Sequence, residues 1–432
     1  MDNFVKTEKL RGCLSGEILI PPDKSISHRS LILGSLVKGK IEINNLSLGE
    51  DCLSTLNILK SSGIKAEFIS KRDLILDSSN GFIQPEAELD CGNSGTSVRL
   101  LSGLFSSLPY KVKFIGDKSL SMRPMKRIIE PLSKMGANII SNENKLPLEI
   151  SGGNLKGITY YSPIPSAQVK SAILIAGLNA SGTTRVYEKY LSRNHSEIML
   201  KYLGASIVTG HDEKGYFTEI QKSVLVPKKI EISGDISSAS FFMVAGAIVP
   251  HSKILIKDVN INPARTGILK IFDQIGANYK VLNKKTVSGE ETGDILVEYK
   301  EDLKPFKIEG EIIPELIDEI PILAVLASII KGRSVVSDAG DLRNKESDRI
   351  KTIVEAFKML DIDIEEKSDG FIINGGKPIN KEAVLETHLD HRLAMSYYIL
   401  SLVNEKSMII KDFNCTKTSF PEFLDIINSI KK

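Results

Sequence analysis

The hydrophobic and polar positions of this chain follow one order that recurs six times. In each repeat a short polar cluster precedes a helix-like run of small apolar residues, and a tight break and a β-like run follow. The small residue in the middle of each run recurs about every 70 to 80 residues, which indicates a repeated structural unit. These residues are Gly34, Gly103, Gly177, Gly246, Ala327 and Ser401.

A second element follows in the first five repeats and reads apolar-x-x-apolar-Gly-Ala-x-apolar, with variations. It starts at Leu59, Leu132, Leu200, Phe272 and Phe357. A Gly after an amphipathic stretch is typical of a helix C-cap in the left-handed conformation, and the β-branched residues behind it begin a strand. Asp361 stands where the other copies have Gly, and Asp tolerates that conformation better than most residues. Each repeat is therefore predicted to alternate helix and strand in an α/β fold.

Polar residues stand just before or at the start of each of the six apolar helices. They are Lys24 and Ser25, Asn93 with Gly95 and Thr96, Ser166 and Gln168, Asp235 and Ser237, Asp318, and Asp390 with His391 and Arg392. Helix N-termini carry free backbone N–H groups and the positive end of the macrodipole, so they favour anions. The pattern predicts a small, anionic, phosphorylated ligand.

Composition narrows the partners. The 432 residues are 42% hydrophobic and 25% charged, with a net charge of +2. This balance speaks against nucleic acid, which needs a strong basic excess, and favours a small anionic substrate bound at a local positive site.

The cysteine spacing favours a protein of a reducing compartment, and the histidine spacing speaks against a metal site. The four cysteines are widely spaced, and the histidines have no metal-ligand spacing. The N-terminus lacks the apolar core of a secretory signal, and the longest apolar run, from Phe241 to Pro250, is half of a membrane span. We expect a cytoplasmic protein with no membrane contact.

Chain breakers suggest two lobes of three repeats each. Pro21 and Pro22 precede the first apolar helix, and the segment 232–235 precedes the fourth. We expect one lobe over residues 22–233 and a second made of 1–21 plus 234–432, with the active site in a cleft between them. Two crossings at two breakers would form a hinge, so closure on a ligand is expected.

Eight motifs occur in the order found in one known enzyme family. They are PPDKSISHRS at Pro21, CGNSGTSVRLL at Cys91, SMRPM at Ser121, PSAQVKSAIL at Pro165, NPARTGIL at Asn262, LRNKESDRI at Leu342, DHRLAMS at Asp390 and TSFPEF at Thr418. Together they resemble 5-enolpyruvylshikimate-3-phosphate synthase, also called 3-phosphoshikimate 1-carboxyvinyltransferase. The resemblance covers nearly the whole chain, and NKESDR and GNSGT are its most specific parts.

The resemblance implies a two-lobed inside-out α/β barrel of six βαβαββ-type repeats, three per domain. It also implies transfer of the enolpyruvyl group of phosphoenolpyruvate to the 5-hydroxyl of shikimate 3-phosphate, in the chorismate pathway, by addition and elimination through a tetrahedral intermediate. The variants SAQ-x-K, R-x-H-x-E and N-P-x-R-T at Ser166, Arg193 and Asn262 resemble the bacterial class described as tolerant of glyphosate.

The reaction needs cations for two phosphates and two carboxylates, which Arg forks and Lys point charges supply. The resemblance assigns phosphoenolpyruvate to Lys24, Gly95, Arg123, Gln168, Arg349 and Arg392. It assigns shikimate 3-phosphate to Lys24, Ser25, Arg29, Ser166, Ala167, Gln168, Arg193, Asp318 and Lys345. Arg99 is a further cation of the same pattern, and most isolated Arg and Lys are simply exposed charges.

The catalytic candidates are Lys24, Asp318, Glu346 and His391. Asp318 adjoins Glu319, and two carboxylates at one helix start raise the proton affinity of one, so Asp318 is expected to accept the proton of the attacking hydroxyl. Lys24 among cationic neighbours is expected to have a lowered pKa and donate a proton, and Glu346 to serve the methylene carbon. His391 could instead be a structural partner of Asp390.

Three positions stay open at this level. Asp235 has an equally good interpretation as a helix N-cap. Ala167 replaces a Ser that many relatives use on the shikimate phosphate, so one hydrogen bond must come from elsewhere. Lys417 stands one residue away from the Lys of some family members and stays unassigned. Gly95 is expected where a Cβ would crowd a phosphate.

Three alternatives remain. The first is the sister enzyme that transfers enolpyruvyl to UDP-N-acetylglucosamine, whose loop Cys is replaced here by Lys118. The second is a non-catalytic α/β-repeat binding module, and the third is an RNA-end cyclase, for which the positive charge is too small. No cofactor is implied, since preorganised charges can carry this chemistry, and a monomer suffices.

Overall fold

The chain folds into two compact units. The computed structural model describes residues 3–432. The N-terminal unit consists of 22–232 and 286–290, and the C-terminal unit of the residues up to Pro21, 233–285 and 291–432. The prediction for residues 286–290 was wrong, because this hairpin tip packs on the N-terminal unit: a Cβ on Gly289 would lie 3.1 Å from Ile198 Cγ2. Ser233 also lies in the C-terminal unit rather than at the end of the first lobe.

The α-helices of residues 3–432 are α1 Lys24–Gly34, α2 Glu50–Ser61, α3 Gly95–Ser106, α4 Lys118–Met122, α5 Lys126–Met135, α6 Ala167–Gly177, α7 His195–Tyr202, α8 Ile236–Ile248, α9 Gly267–Ile275, α10 Ile313–Leu316, α11 Ile320–Ile329, α12 Arg349–Met359, α13 His391–Ser401 and α14 Phe423–Ser429. The six that follow the polar clusters, α1, α3, α6, α8, α11 and α13, begin within about two residues of the predicted starts. Short 3₁₀ helices cover Gly310–Ile312, Gly340–Asn344 and Phe413–Thr418. Among the helices of residues 3–432, none has both the length and the apolar character needed to cross a bilayer.

Short strands alternate with these helices. They are β1 Phe4–Thr7, β2 Ser15–Leu19, β3 Lys40–Asn44, β4 Lys65–Phe68, β5 Leu74–Asp77, β6 Leu89–Asp90, β7 Lys111–Ile115, β8 Asn138–Asn142, β9 Lys145–Ser151, β10 Thr159–Tyr161, β11 Thr183–Glu188, β12 Ile207–Asp212, β13 Gly215–Gln221, β14 Ile230–Glu231, β15 Lys253–Asn260, β16 Asn278–Val287, β17 Glu290–Glu298, β18 Lys307–Ile308, β19 Gly332–Val336, β20 Asp363–Lys367, β21 Gly370–Gly375, β22 Ala383–Leu385 and β23 Met408–Lys411.

The strands form one small sheet per repeat. In the second repeat the order is β6-β7-β9-β8, where β6 and β7 are parallel and the other pairs are antiparallel. Four other sheets have the same order of a parallel pair followed by a hairpin, and the sixth has the order β1-β23-β22. The parallel pairs need crossover helices, which gives the βαβαββ repeat.

The chain crosses between the two units at two main points, and a strand beside each crossing joins the sheet of a repeat that is distant in sequence. The first sheet takes its parallel edge strand from β14, which pairs with β3, although β14 comes after the third repeat. The fourth sheet takes β2 from the N-terminal segment, which pairs with β15. Each crossing therefore completes a sheet with a strand that is distant in sequence.

One helix of each repeat is buried along nearly its whole length. Every residue of α8 is buried, as are Ile320–Ser328 of α11 and Ile26–Gly34 of α1. A helix that is apolar all round lies inside a protein. These helices approach closely, because a Cβ on Gly103 in α3 would lie 2.2 Å from the carbonyl oxygen of Ala172 in α6. The helices lie inside and the sheets outside, so the inside-out α/β fold is confirmed.

The predicted C-caps are confirmed. Gly63, Gly136, Gly204 and Gly276 all have positive φ, between 69° and 110°. Asp361 takes the same left-handed conformation, with φ of 57°, in place of Gly. The repeated Gly therefore marks where each outer helix turns into a strand.

Candidate functional site

In the N-terminal unit the predicted binding residues gather at three helix starts. Asp23, Ser94 and Ser166 are the N-caps of α1, α3 and α6, and each side chain accepts a backbone N–H of the first turn. The predicted residues of these first turns are Lys24, Ser25, Gly95, Ala167 and Gln168. Because α3 packs against both α1 and α6, the positive ends of three helix dipoles belong to one region of this unit.

Gln168 joins two of these helix starts. Its Oε1 accepts a hydrogen bond from Arg99 Nη1 at 2.6 Å, and its Nε2 donates to Thr96 Oγ1 at 2.9 Å. Both partners lie on α3, while Gln168 lies on α6. The amide therefore fixes Arg99 in orientation beside Gly95.

Gly95 lies against two guanidinium groups. A Cβ at this position would lie 2.9 Å from Arg99 Nη1 and 3.1 Å from Arg123 Nη1. Arg123 is buried and donates to Asn93 Oδ1 at 2.9 Å, and Asn93 donates in turn to Asp117. Two cations that could hold an anion therefore lie beside Gly95, and the expectation that a Cβ would crowd a phosphate here stays a prediction.

Arg29 is a buried arginine whose hydrogen-bond partners are uncharged. It is 2% exposed. Its Nε donates to Ser196 Oγ at 2.7 Å, its Nη2 to Ser171 Oγ at 2.8 Å and its Nη1 to the carbonyl of Ser25 at 2.9 Å. Burial lowers the pKa of Arg29 to about 10. A positive charge without a bonded carboxylate favours a ligand anion nearby.

Lys24 has an anionic partner that the sequence analysis did not foresee. Its ammonium forms an ion pair with Asp51, the second residue of α2. The expectation of a lysine surrounded by cations is therefore corrected, because the start of α2 brings a carboxylate to it. The Asp51 side chain is 9% exposed, so this pair is largely shielded from water.

Arg193 lies in the loop between β11 and α7 and is partly buried. The preceding Ser192 donates its hydroxyl to Glu188 Oε1 at 2.6 Å. The other members of the R-x-H-x-E motif are buried: His195 bonds Glu290 at 2.7 Å, and Glu197 pairs with Lys170 at 2.7 Å. The motif therefore anchors the loop that presents Arg193.

In the C-terminal unit, Asp318 lies between two cations. Its Oδ1 is 3.4 Å from Lys345 Nζ and 3.5 Å from Arg349 Nη1. Arg392 Nη1 donates to the carbonyl oxygen of Asp318 at 3.3 Å. Two other segments, the one that leads into α12 and the start of α13, thus bring predicted residues to the turn before α11, where Asp318 is partly exposed.

Arg349 is buried at the start of α12 among carboxylates. Its Nε donates to Asp390 Oδ2 at 2.8 Å, and its Nη2 to Glu346 Oε2 at 2.6 Å. Burial alone lowers the pKa of Arg349, but Asp390, Glu346 and Asp318 outweigh burial and raise it above the usual value. Asp390 also caps α13, whose first residue, His391, is buried.

Asp318 and Glu319 have different partners, although they are adjacent in sequence. Glu319 is buried, accepts the hydroxyl of Ser237, and lies 3.9 Å from Arg265. Asp235 caps α8 by accepting the backbone N–H of Ser237 at 2.9 Å, which supports its interpretation as a cap. The expected coupling of two carboxylates at one helix start is therefore replaced by two separate networks.

Lys170, Glu188 and Asp51 were not among the residues predicted from the sequence. The signal for Lys170 was available, since a lysine inside an apolar helix run needs a buried counterion. Glu188 and Asp51 gave no local signal, because a strand end and a helix start carry acids in most proteins. Lys417 is exposed in a 3₁₀ helix and stays unassigned.

The chain is similar to one enzyme family over nearly its full length. The family model described as EPSP synthase (3-phosphoshikimate 1-carboxyvinyltransferase) matches residues 9–427. The 3-phosphoshikimate 1-carboxyvinyltransferase of Petrotoga mobilis is 45% identical over 423 residues, 97% of each chain. That of Thermodesulfovibrio yellowstonii is 44% identical over 437 residues, 100% of each chain. A solved EPSP synthase of Acinetobacter baumannii has 36% identity and a TM-score of 0.87, covering 100% of this chain and 98% of that one.

Proposed function

The chain belongs to the EPSP synthase family, and from this we propose that the clusters at the helix starts of its two units carry out the reaction of that family. The enzyme transfers the enolpyruvyl group of phosphoenolpyruvate to the 5-hydroxyl of shikimate 3-phosphate and releases inorganic phosphate. The family membership carries this conclusion, and the residue roles below are proposed from the geometry of each unit.

The reaction proceeds by addition and then elimination. A proton adds to the methylene carbon of phosphoenolpyruvate, and the hydroxyl oxygen of the acceptor forms a bond to the neighbouring carbon and loses its proton. The tetrahedral intermediate then loses a proton from the methyl group and expels phosphate, which restores the double bond. The protein must therefore hold two phosphates and two carboxylates and must move protons in both steps.

We assign the acceptor to the helix starts of the N-terminal unit. Arg29 supports this assignment, because its guanidinium is buried among hydroxyl and carbonyl groups and is not neutralised by a bonded carboxylate. Ser25, the N-terminus of α6 and Arg193 add donors of the kind that bind phosphate and carboxylate groups. Asp318 and Lys345 complete the assignment from the C-terminal unit.

We assign phosphoenolpyruvate to cations of both units. Gly95 leaves room for an anion beside Arg123, and Gln168 orients Arg99 at the same place. Lys24, Arg349 and Arg392 complete this set. Because the set comes from both units, the proposal requires both clusters for a single reaction.

Proton transfer is assigned mainly to carboxylates that contact lysine or arginine side chains. Asp318 is proposed to accept the proton of the attacking hydroxyl, and Lys345 and Arg349, at 3.4 and 3.5 Å, favour its ionised form. Glu346, bonded to Arg349 at 2.6 Å, is proposed to exchange the proton of the methylene carbon, with Lys24 as a further donor. His391 is buried beside Asp390 and is the remaining candidate.

The experiment measures phosphate release from phosphoenolpyruvate with either shikimate 3-phosphate or UDP-N-acetylglucosamine as acceptor. We expect release with shikimate 3-phosphate alone. Asp318→Asn is expected to lower kcat by about 100-fold or more, since it removes a general base. Glu355→Gln is the matched control. This carboxylate also lies in the C-terminal unit, on α12, but it is exposed, and its ion pair with Lys351, at 3.8 Å, is long.

Release with UDP-N-acetylglucosamine alone would contradict the acceptor but keep the chemistry. No release with either acceptor, from folded protein, would overturn the transferase and favour a binding module. An Arg123→Ala variant with unchanged KM for phosphoenolpyruvate would remove the N-terminal unit from that part of the proposal.

Two finer properties are proposed as well. The motifs at Ser166, Arg193 and Asn262 support tolerance of glyphosate, which an inhibition titration against phosphoenolpyruvate tests. The four free cysteines, among which burial raises the pKa of Cys52 and Cys415 to about 12, suit a cytoplasmic protein. We propose a monomer, and a sedimentation experiment that finds a dimer would contradict it.

A further inference from the structure

Lys170 is a buried lysine that the proposed mechanism does not use. It lies on α6, one turn after the N-cap Ser166, and is 2% exposed. Its ammonium is 2.7 Å from Glu188 Oε2, 2.7 Å from Glu197 Oε1 and 3.2 Å from the carbonyl oxygen of Ser192. These three contacts use the three donors of an ammonium group. Burial alone lowers the pKa of Lys170, but the two carboxylates outweigh burial and raise it.

Glu188, which is bonded to Lys170, also forms hydrogen bonds to two further segments. Its Oε1 accepts the backbone N–H of Ser166 at 3.1 Å and the hydroxyl of Ser192 at 2.6 Å. Its Oε2 accepts Lys170 and the backbone N–H of Ser192 at 3.4 Å. The carboxylate therefore holds the start of α6 and the loop that carries Arg193 at once.

The Glu197 branch leads to Arg29. Glu197 lies on α7 next to Ser196, whose hydroxyl accepts Arg29 Nε at 2.7 Å and bonds the Ser171 hydroxyl at 2.6 Å. Ser171 in turn accepts Arg29 Nη2 at 2.8 Å and follows Lys170 on α6. The Lys170 ammonium is thus bonded to, or next to, the residues that hold three predicted acceptor-binding groups: the start of α6, the loop bearing Arg193, and Arg29.

We propose that Lys170 is a positioning residue for the acceptor substrate, and that it acts through Glu188 on the start of α6 and on the loop bearing Arg193. The inference rests on the proposed function. It also explains how the chain compensates for Ala167, because the network fixes neighbouring donors where a serine hydroxyl is missing. All three donors of the Lys170 ammonium are bonded to protein oxygens, so none is left for the substrate.

The test compares KM values for the two substrates in Glu188→Gln and Lys170→Met. Glu188→Gln keeps the shape and leaves Lys170 paired one-to-one with Glu197, so this variant is expected to fold. We expect KM for shikimate 3-phosphate to rise ten-fold or more, while KM for phosphoenolpyruvate stays within two-fold. Lys134→Met is the matched control, since Lys134 forms an ion pair of the same 2.7 Å length with Glu130 at the surface.

A double-mutant cycle tests the route. If Lys170 acts through Glu188, adding Lys170→Met to Glu188→Gln raises KM for shikimate 3-phosphate far less than in the unsubstituted background. Titration calorimetry with shikimate 3-phosphate alone supplies a readout that needs no turnover, and a ten-fold weaker Kd is expected.

Folded Glu188→Gln with unchanged KM and Kd for shikimate 3-phosphate would overturn the inference while the proposed function stands. Equal increases in both KM values would also overturn it, since they indicate general loosening. If the unsubstituted protein released no phosphate, the proposed function would fail first.

Discussion

Arg29 and Arg349 are both buried near helix starts, one in each unit, yet their partners are opposite in character. Arg29 donates to two serine hydroxyls and a carbonyl, whereas Arg349 donates to three carboxylates. Burial lowers the pKa of Arg29 to about 10, while the carboxylates around Arg349 raise its pKa. Arginine is thus hydrogen-bonded to neutral groups in one unit, with Glu197, Asp23 and Glu290 acting on it only through longer-range attraction, and it is a direct counterion of carboxylates in the other unit.

In the proposed reaction this difference between the two arginines corresponds to two different tasks. A buried cation whose hydrogen bonds go to neutral groups gains more from an incoming anion than one that is already bonded to carboxylates. A cation that already holds carboxylates instead fixes their positions and favours their ionised forms, which suits proton transfer. We therefore propose that the N-terminal cluster serves mainly substrate binding and the C-terminal cluster mainly proton transfer.

Arg349→Met should have the largest effect on stability. It leaves Asp390, which is fully buried, without its counterion, and breaking a buried ion pair from one side costs about 3–5 kcal/mol. Urea unfolding measures this loss. Lys351→Met on the same helix is the control, because Lys351 is exposed and surface pairs contribute little. A loss below about 1 kcal/mol would contradict the counterion role.

Arg29→Met should separate binding from stability. It removes a desolvated charge together with its hydrogen bonds to neutral groups, so the free energy of unfolding is expected to change by less than about 1 kcal/mol. The affinity for shikimate 3-phosphate should fall about 10- to 100-fold, because a charge-assisted contact is lost. Titration calorimetry measures this, with exposed Lys60→Met as control. Destabilisation as large as that of Arg349→Met would remove the distinction.

Two glycines of α3 allow packing and substrate binding in the N-terminal cluster to be tested separately. In Gly103→Ala the Cβ meets the Ala172 carbonyl oxygen at 2.2 Å, and overpacking of this kind costs about 1–3 kcal/mol. In Gly95→Ala the Cβ meets the guanidinium ends of Arg99 and Arg123, which can shift by side-chain rotation, rather than backbone atoms. We expect near-native stability and a KM for phosphoenolpyruvate raised about ten-fold, which corresponds to about 1.4 kcal/mol. Thermal unfolding and steady-state kinetics distinguish the two, and equal destabilisation would count against the role of Gly95.

The repeat, the helix starts and the left-handed C-caps were predictable because they depend on local chemistry. Asp361 illustrates this, since its positive φ follows from its place in the Gly pattern. The contrast between Arg29 and Arg349 was not predictable, because the partners come from residues far away in sequence. Ser196 is 167 residues from Arg29, and Asp390 is 41 residues from Arg349. The sequence pattern predicted the positions of the two arginines, but their hydrogen-bond partners depend on the tertiary structure.

The division of Asp318 and Glu319 shows the same limit. Adjacent acids at a helix start suggested one coupled pair, but α11 directs them to separate networks, one with Lys345 and one with Ser237. Lys170 is the reverse case, where a lysine in an apolar run was a usable signal for a buried ion-pair network. A charged residue at an apolar position therefore predicts a partner but not its identity.

The last prediction is a pH dependence of stability at His28, next to Arg29 on α1. Burial, reinforced by Lys24 and Arg29, lowers the pKa of His28 well below its usual value of 6.5. The unfolded chain therefore binds a proton below pH 6.5 that the folded chain does not bind, so stability decreases as the pH falls from 7 towards 5. The expected slope is up to about 1.4 kcal/mol per pH unit. Urea unfolding at pH 7.5 and 5.5 measures it, and His28→Gln, which removes the titrating group, should lose less stability between these pH values. Equal losses in both proteins would contradict a lowered pKa of His28 in the folded state.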